Sequence, residues 1–421
     1  MLKKIFAFLL CLSMAVSLGA CGGSSAPAPT EASQVPSTPY AALAADIAAL
    51  DGAYAGRVAY HGELHDHADT GGTSDGHRTL QSYRAGMEEL GIDFATIVDH
   101  RQVLHMELDQ WDNSIFIGGS EAGAIIDGLE AATERKAHIN LLFANSQDFI
   151  DAVNAYDAQV DNAGFMGQDY PADYNVGEEA EKLAGGWHYT PLYYDYNRPD
   201  KEDLATLINT VREHGGMFVL VHPKSPNYIV SDNPMDYWFA DYCGLEVFYG
   251  FGGYAPSRSV TLKNYELWKT LLSMGKKIWC TAGSDKHADP NTDALTTVYS
   301  ETQDAATYMT HIASGDLVCG PVGIRMIIGD AVMGGETSFA GQRLIFSVGD
   351  FHESAYVATH SYQVEVYSDK GLVFKQKLED PTQLTYFAMD ADPDVNFYRV
   401  EVHNLTTNMM HALGNPIWNI K

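Results

Sequence analysis

Five short apolar runs in this chain each lead into a histidine or a carboxylate, and a sixth begins on one. Val58 to Leu64 runs into His65-Asp66-His67, with Ser74-Asp75-Gly76 in the polar loop beyond. Phe94 to Val98 runs into Asp99-His100, and Ile115 to Gly118 is followed by Glu121. His138 opens the run Ile139 to Phe143. Met217 to Val221 is followed by His222-Pro223-Lys224, and Ile278 to Ala282 by Gly283-Ser284-Asp285-Lys286-His287. Between these runs apolar residues recur at helical spacing. Leu80, Tyr83, Met87 and Leu90 precede Gly91; Leu204, Leu207, Ile208 and Val211 precede Gly215-Gly216; Leu262, Trp268, Leu271 and Leu272 precede Gly275. Strands and helices in alternation predict a mainly parallel α/β architecture, as a barrel or a doubly wound sheet. In a parallel barrel, residues just past the strand ends converge on one face, where such folds build their sites.

A lone histidine after a strand is ordinarily a satisfied polar residue. The set His65, His67, Asp75, His100, Glu121, His138, His222, Asp285 and His287 is harder to explain that way, because its members recur at successive strand ends. Imidazole and carboxylate ligands suit Zn, Mn or Fe, and no cysteine stands among them. So many ligands exceed one tetrahedral ion and predict about two or three divalent transition-metal ions.

The order His-x-His, Ser-Asp-Gly, Val-Asp-His, Glu, His, His-Pro and Gly-Ser-Asp-x-His resembles the PHP (polymerase and histidinol phosphatase) superfamily, from about Arg57 to Cys319. The resemblance implies a distorted seven-stranded (β/α) barrel holding up to three metals. By that pattern His65, His67, Glu121 and Asp285 hold one ion, and Glu121 bridges to a second held by His138 and His222. Asp75, His100 and His287 hold the third. Two departures stand out. The segment Ala68 to Thr73 is longer than the family's spacing, which leaves Asp69 and His77 as alternatives to Asp75. The family's Thr-Asp-His-Asp ends here in Arg101.

The flanks of the barrel read differently. Residues 1–20 carry Lys3 and Lys4 before the apolar run Ile5 to Leu18, the form of an export signal. That run is too short for a comfortable membrane span. Leu18-Gly19-Ala20-Cys21 resembles a lipobox, which predicts lipidation of Cys21 and an exported protein anchored to the cell membrane. Residues 21–40, rich in Gly, Ser, Ala and Pro, read as a flexible tether. The barrel is expected over 41–318, with helix Ala41 to Leu50 packed on its outside. A tyrosine-rich insertion is expected over about 145–199, including Tyr156, Tyr170 and Tyr189, as a lid or a local core. From 319 to 421 short alternating runs such as Tyr362 to Tyr367 and Phe397 to Val402 predict a small antiparallel β-sandwich. The ending Asn415-Pro416-Ile417-Trp418 is similar to secreted PHP members with a C-terminal domain. Cys243, Cys280 and Cys319 show no framework spacing and read as buried free thiols.

With 55 Asp and Glu against 26 Lys and Arg, the net charge of −29 repels nucleic-acid backbones, so no nucleic-acid partner is expected. The resemblance implies a metal-dependent hydrolase, first of all a phosphoesterase acting on a small molecule or a surface polymer, with metal-activated water as nucleophile. Arg101, Lys224 and Lys286 each adjoin a ligand motif. Arg101 and Lys224 are the candidates for contacting phosphate, unless they only balance nearby carboxylates. The same water could instead attack an amide, carbamate or aryl ester. A non-catalytic surface binding protein is the remaining alternative.

Overall fold

The structure, a computed structural model, describes residues 41–71, 74–100, 103–125, 136–160, 201–225, 231–250, 258–352 and 357–421. The residues read as an export signal and a tether, with Cys21, lie outside the described residues, as do Arg101 and residues 161–200 of the expected insertion.

Helices begin and end where local chemistry dictates. Helix α1 spans Ala44–Ala53, α2 Leu80–Leu90, α3 Ser146–Asp157, α4 Lys201–Glu213, α5 Arg258–Ser273 and α6 Ala305–Ser314. The Thr79 side chain accepts from Ser82 N at the start of α2, and Asp304 accepts from Thr307 N at the start of α6. Gly91 and Gly315 end these two helices at φ +68° and +79°, a left-handed turn that costs glycine little. The apolar stripe read in the sequence is the buried face of α2, through Leu80, Tyr83 and Met87.

Strands β1 (Val58–Asp66), β2 (Phe94–His100), β3 (Phe116–Ile125), β4 (Lys136–Phe143), β5 (Met217–Val221), β6 (Cys243–Tyr249) and β7 (Ile278–Gly283) lie side by side in chain order. The sheet is mixed rather than mainly parallel, which corrects the sequence reading. β4 runs antiparallel to both β3 and β5, while β1–β2, β2–β3, β5–β6 and β6–β7 are parallel pairs. Only residues 126–135 join β3 to β4, too short a stretch for the usual parallel crossover. The sheet curls until the end of β7 meets the end of β1. There Asp66 bridges Lys286, Asp285 N donates to His65 O at 2.9 Å, and His67 N donates to Lys286 O at 2.8 Å.

The first half of β1 uses its outer edge differently. Val58 to Gly62 pair antiparallel with β8 (Thr296–Ser300), β8 pairs with β9 (Leu317–Cys319), and the sheet runs on into the C-terminal strands. These are β10 (Gly323–Ile328), β11 (Ala331–Val332), β12 (Glu336–Thr337), β13 (Arg343–Gly349), β14 (Tyr362–Ser368), β15 (Gly371–Lys377), β16 (Thr385–Asp390), β17 (Phe397–Asn404), β18 (Met409–Gly414) and β19 (Ile417–Asn419). β18 pairs with β9, so the large sheet is continuous from the curled part to the C-terminus. A second, smaller sheet, in the order β11-β10-β13-β16, is antiparallel. Ile324 and Phe346 of the small sheet share a core with Val364 and Val400 of the large one. Period-two patterning carries this: in β14 Tyr362, Val364 and Val366 are buried and their neighbours are half-buried.

Two expectations change. Helix α1 packs on the small sheet, not on the outside of the barrel: Leu50 and Tyr54 cluster with Ile327, Ile345 and Ala388, and with Tyr299 of β8. The first part of the expected insertion is α3, which buries Phe149, Val153 and Tyr156 in the main core beside Leu204 and Leu207 of α4. Tyr156 is therefore a core residue rather than a lid residue. The cysteines Cys243, Cys280 and Cys319 are free and buried, as their spacing suggested.

Gly320, just past β9, sits at φ +132°, and a Cβ there would collide with the backbone of His411 and Ala412. Gly320→Ala should therefore cost roughly 2–4 kcal/mol through strain and overlap together. A denaturant titration of the variant checks this, and a midpoint equal to wild type would refute the close approach of β9 and β18.

Candidate metal centre

Successive strand ends deliver the titratable groups to one rim. On β1 and just past it, His65 and His67 are two residues apart and so share a face. His100 is the last residue of β2, and Glu121 lies within β3. His138 stands near the start of β4, yet reaches the same rim because β4 runs antiparallel and opposes its start to the ends of β3 and β5. His222 follows β5 at φ +32°, and Asp285 follows β7 at φ +52°. Non-glycine residues seldom adopt such values, and where they do the strain marks a position held by its surroundings.

All nine sequence-predicted ligands meet here, in overlapping groups. His65, His67 and Glu121 form one; His65, His222 and Asp285 a second; Glu121, His138 and His222 a third; His67, Asp75, His100 and His287 a fourth. Relative to the family pattern, His67 also belongs with Asp75, and His222 also lies near Asp285. Asp69 and His77 belong to none of these groups among the described residues. Glu121 is the hub: Oε2 lies 3.4 Å from His67 Nε2 and 3.3 Å from His100 Nδ1. Its Oε1 lies 2.5 Å from His138 Nδ1 and 3.6 Å from His222 Nε2. Asp285 Oδ1 lies 3.4 Å from His65 Nε2 and 3.3 Å from His67 Nε2. Asp75 lies 3.2 Å from His100 Nε2 and 3.3 Å from His287 Nε2.

Apart from the 2.5 Å between Glu121 and His138, a direct hydrogen bond, these spacings fit metal ions. Two ligands bound at about 2.1 Å to one tetrahedral ion sit roughly 3.4 Å apart. His65 Nε2 and both ring nitrogens of His67 are buried and make no well-formed hydrogen bond, which is costly unless something else engages them. The inner groups are dry, with His67 and His222 fully buried, whereas Asp75 is 47% exposed and His287 33% exposed at the side chain. The Asp75 group thus faces solvent.

Charge is balanced locally. Burial alone would raise the Glu121 carboxyl, but His138, His222 and His100 hold it well below the usual carboxylate range. Asp285 is likewise held low against its burial by His65, His67 and His222, and Asp75 by His100 and His287. Burial disfavours charge on His65, yet Asp285, Glu246 and Glu121 outweigh it and push the ring up to about 10. Asp75 similarly outweighs burial at His287 and pushes it up to about 9. Burial keeps His67 and His138 below the ordinary value.

Two further groups touch the centre and were not read from sequence. Glu246, on β6, lies with Oε1 3.0 Å from His65 Nδ1. Tyr249, at the end of β6, donates to Asp285 Oδ2 at 3.1 Å. Asp99, which precedes His100 in the sequence, is in none of the ligand groups among the described residues; it lies 3.0 Å from His105 Nδ1 and accepts from Thr70 Oγ1. The available signal was the run Cys243 to Tyr249, an apolar strand with one carboxylate in it. Of the expected cations, Lys224 places Nζ against Ser231 O and 3.9 Å from the centre of the Tyr237 ring, and burial lowers its pKa. A separate group, Glu365, Glu401 and His403, already has its counter-charge: Arg399 pairs with Glu401, and Tyr265 donates to it at 2.9 Å.

No family model matches the chain, and no curated protein matches it. Among solved structures it is similar to a two-domain protein from Bacteroides vulgatus described as containing a predicted PHP-like metal-dependent phosphoesterase, at 13% identity and TM-score 0.36, over 92% of this chain and 98% of that one. It is also similar to a protein named as a metal-dependent phosphoesterase from Bifidobacterium adolescentis, at 16% identity and TM-score 0.32, over 56% and 90%. A third is a lesion-specific endonuclease from Pyrococcus furiosus, at 15% identity and TM-score 0.35, over 61% and 56%. Likenesses this distant fix no activity for this chain.

Metal uptake must displace the protons that now balance the carboxylates. The metal-free His65 keeps its proton up to about pH 10 and His287 up to about pH 9, so loading near neutrality should release protons. Apparent affinity for Zn(II) should therefore rise with pH between about 6 and 8. Calorimetry in buffers of different ionisation enthalpy measures the release, and an affinity flat across that window would contradict this charge balance.

Proposed function

We propose that the chain is a metal-dependent hydrolase of PHP type, with a seven-stranded barrel, acting on phosphoesters. The observation that carries this reading is the convergence of His65, His67, His100, His138, His222 and His287 on Glu121, Asp285 and Asp75 at ligand-to-ligand spacing. About two or three divalent ions, Zn, Mn or Fe, suit that donor set. The inner ones would be held by His65, His67, Glu121 and Asp285, and by Glu121, His138 and His222; an outer one by Asp75, His100 and His287. When bound, such ions supply Lewis acidity, making a nucleophile from water near neutral pH and neutralising the oxygens of an ester.

The chain's own residues do the rest. Glu121 joins the inner groups through its two oxygens, so it sets their separation. Asp75 and His287 face solvent and are the groups that an arriving substrate meets first. Arg101 follows His100 directly in sequence and is the proposed phosphate clamp. Lys224 is the second candidate, but its ammonium would have to leave Ser231 O and the Tyr237 ring. A net charge of −29 favours a small or surface-borne phosphoester over nucleic acid.

Losing one charge-assisted contact in a water-poor site costs roughly 2–4 kcal/mol of transition-state stabilisation. Arg101→Ala should then lower kcat/KM for the best phosphoester by about 10²-fold or more with metal content unchanged, and leave a neutral aryl ester almost untouched. Screening metal-loaded protein against phosphomonoesters, phosphodiesters and aryl esters tests the reading itself. Turnover of aryl esters alone would replace it with carbonyl chemistry.

We also propose that Cys21 carries a lipid and anchors the exported protein to the cell membrane, on the strength of Leu18-Gly19-Ala20-Cys21. Among the described residues no helix is long and apolar enough to cross a membrane. Cys21→Ser should leave the precursor uncleaved or release it from the membrane fraction. Unchanged partitioning and processing would rule out lipidation at this residue.

A further inference from the structure

Glu246 is 1% exposed, in the middle of β6, and both of its oxygens are used by groups from other strands. Oε1 lies 3.0 Å from Nδ1 of His65, on β1, and Oε2 accepts from the backbone N of His222, past β5, at 2.7 Å. The same β6 segment is tied to the His222 turn a second time. Asn264 of α5 donates to the backbone O of Glu246 at 3.0 Å and accepts from Lys224 N at 3.2 Å. One carboxylate thus meets a ring nitrogen and a strained backbone at φ +32°.

We infer that Glu246 is a positioning residue that sets which ring nitrogen of His65 carries the proton, and so which one is open to metal. This rests on the metal-dependent reading above. A carboxylate only accepts, so Nδ1 of His65 must carry the hydrogen that faces it. When the ring gives up its second proton to a metal ion, the lone pair is therefore left on Nε2, the atom that lies 3.4 Å from Asp285 and 3.8 Å from Glu121 and has no well-formed hydrogen bond. A carboxylate behind a ligating histidine fixes the ring's tautomer and orientation and raises its basicity. The second oxygen makes the arrangement directional. The backbone N–H of His222 can only donate, so whatever stands at 246 must turn an acceptor towards it.

That asymmetry predicts an unusual result for the near-isosteric Glu246→Gln. The amide oxygen must face His222 N, which leaves the NH2 facing His65 Nδ1. Nδ1 then has to accept, the ring proton moves to Nε2, and the nitrogen aimed at Asp285 and Glu121 is closed to metal. A simple loss of packing has no such consequence.

The test uses the full chain loaded with Zn(II), with affinity read by chelator competition and the His65 tautomer by ¹⁵N-histidine NMR. Wild type should show Nδ1–H on His65 with Nε2 coordinated. E246Q should lose about 10–100-fold in affinity for one zinc ion, while the others stay bound. A merely structural Glu246 would leave the His65 tautomer and the affinity for each zinc ion unmoved in E246Q, whatever its unfolding midpoint. Unchanged zinc affinity in E246Q overturns the inference while leaving the metal reading intact. So does a wild-type His65 that carries its proton on Nε2, a measurement that needs no variant to fold. A wild type that binds no zinc, manganese or iron overturns the metal reading, and this inference with it.

Discussion

The rest of the structure depends on holding ionised carboxylates together with histidines in a nearly dry rim. Glu121 is buried and Asp285 half-buried among imidazoles, and desolvating a carboxylate there without a counter-charge would cost several kcal/mol. Protons on His65 and His287 balance part of that charge, and divalent ions would balance it more completely. The same groups therefore serve both as a charge store and as a ligand cage. Such a rim stays in register only if its backbone does not yield, which is why His222 and Asp285 can persist at φ +32° and +52°.

Curling of the sheet is what brings the rim together. β1 divides its outer edge, giving Val58 to Gly62 to β8 and the His65 to His67 end to the turn after β7. The first pairing leads the chain out to the C-terminal strands; the second brings Asp285 beside His65. Reversal of β4 brings in His138 from the start of a strand instead of its end. A strictly parallel order would have carried that histidine to the opposite rim.

The C-terminal strands bear on the metal rim through β7. Asn415 accepts from Cys280 N at 2.7 Å and donates to Cys280 O and Leu317 O at 3.3 Å, clasping the middle of β7 to β9. Farther out, Lys277 pairs with Glu336 at 2.7 Å, and Tyr265 of α5 meets the buried Glu401 of β17. Because β7 presents Asp285, these polar clasps support one wall of the centre from behind.

The sequence by itself determined the donors, the run of strands that carries them and the period-two strands of the C-terminal region. Those features are local. A histidine next to an apolar run, a glycine that stops a helix and an alternation of buried residues each follow from chain stereochemistry over a few positions. The tertiary structure decided which donors share a neighbour. His67 joins the Asp75 group and His222 lies near Asp285, although each reads more simply with other partners. It also turned β4 round, set α1 on the small sheet and put Glu246 behind His65. That carboxylate stands in a strand with no polar motif around it, so its role exists only once β1, β5 and β6 lie side by side. Pairing between strands distant in sequence depends on the closure of the whole sheet, and no short stretch of chain encodes that closure.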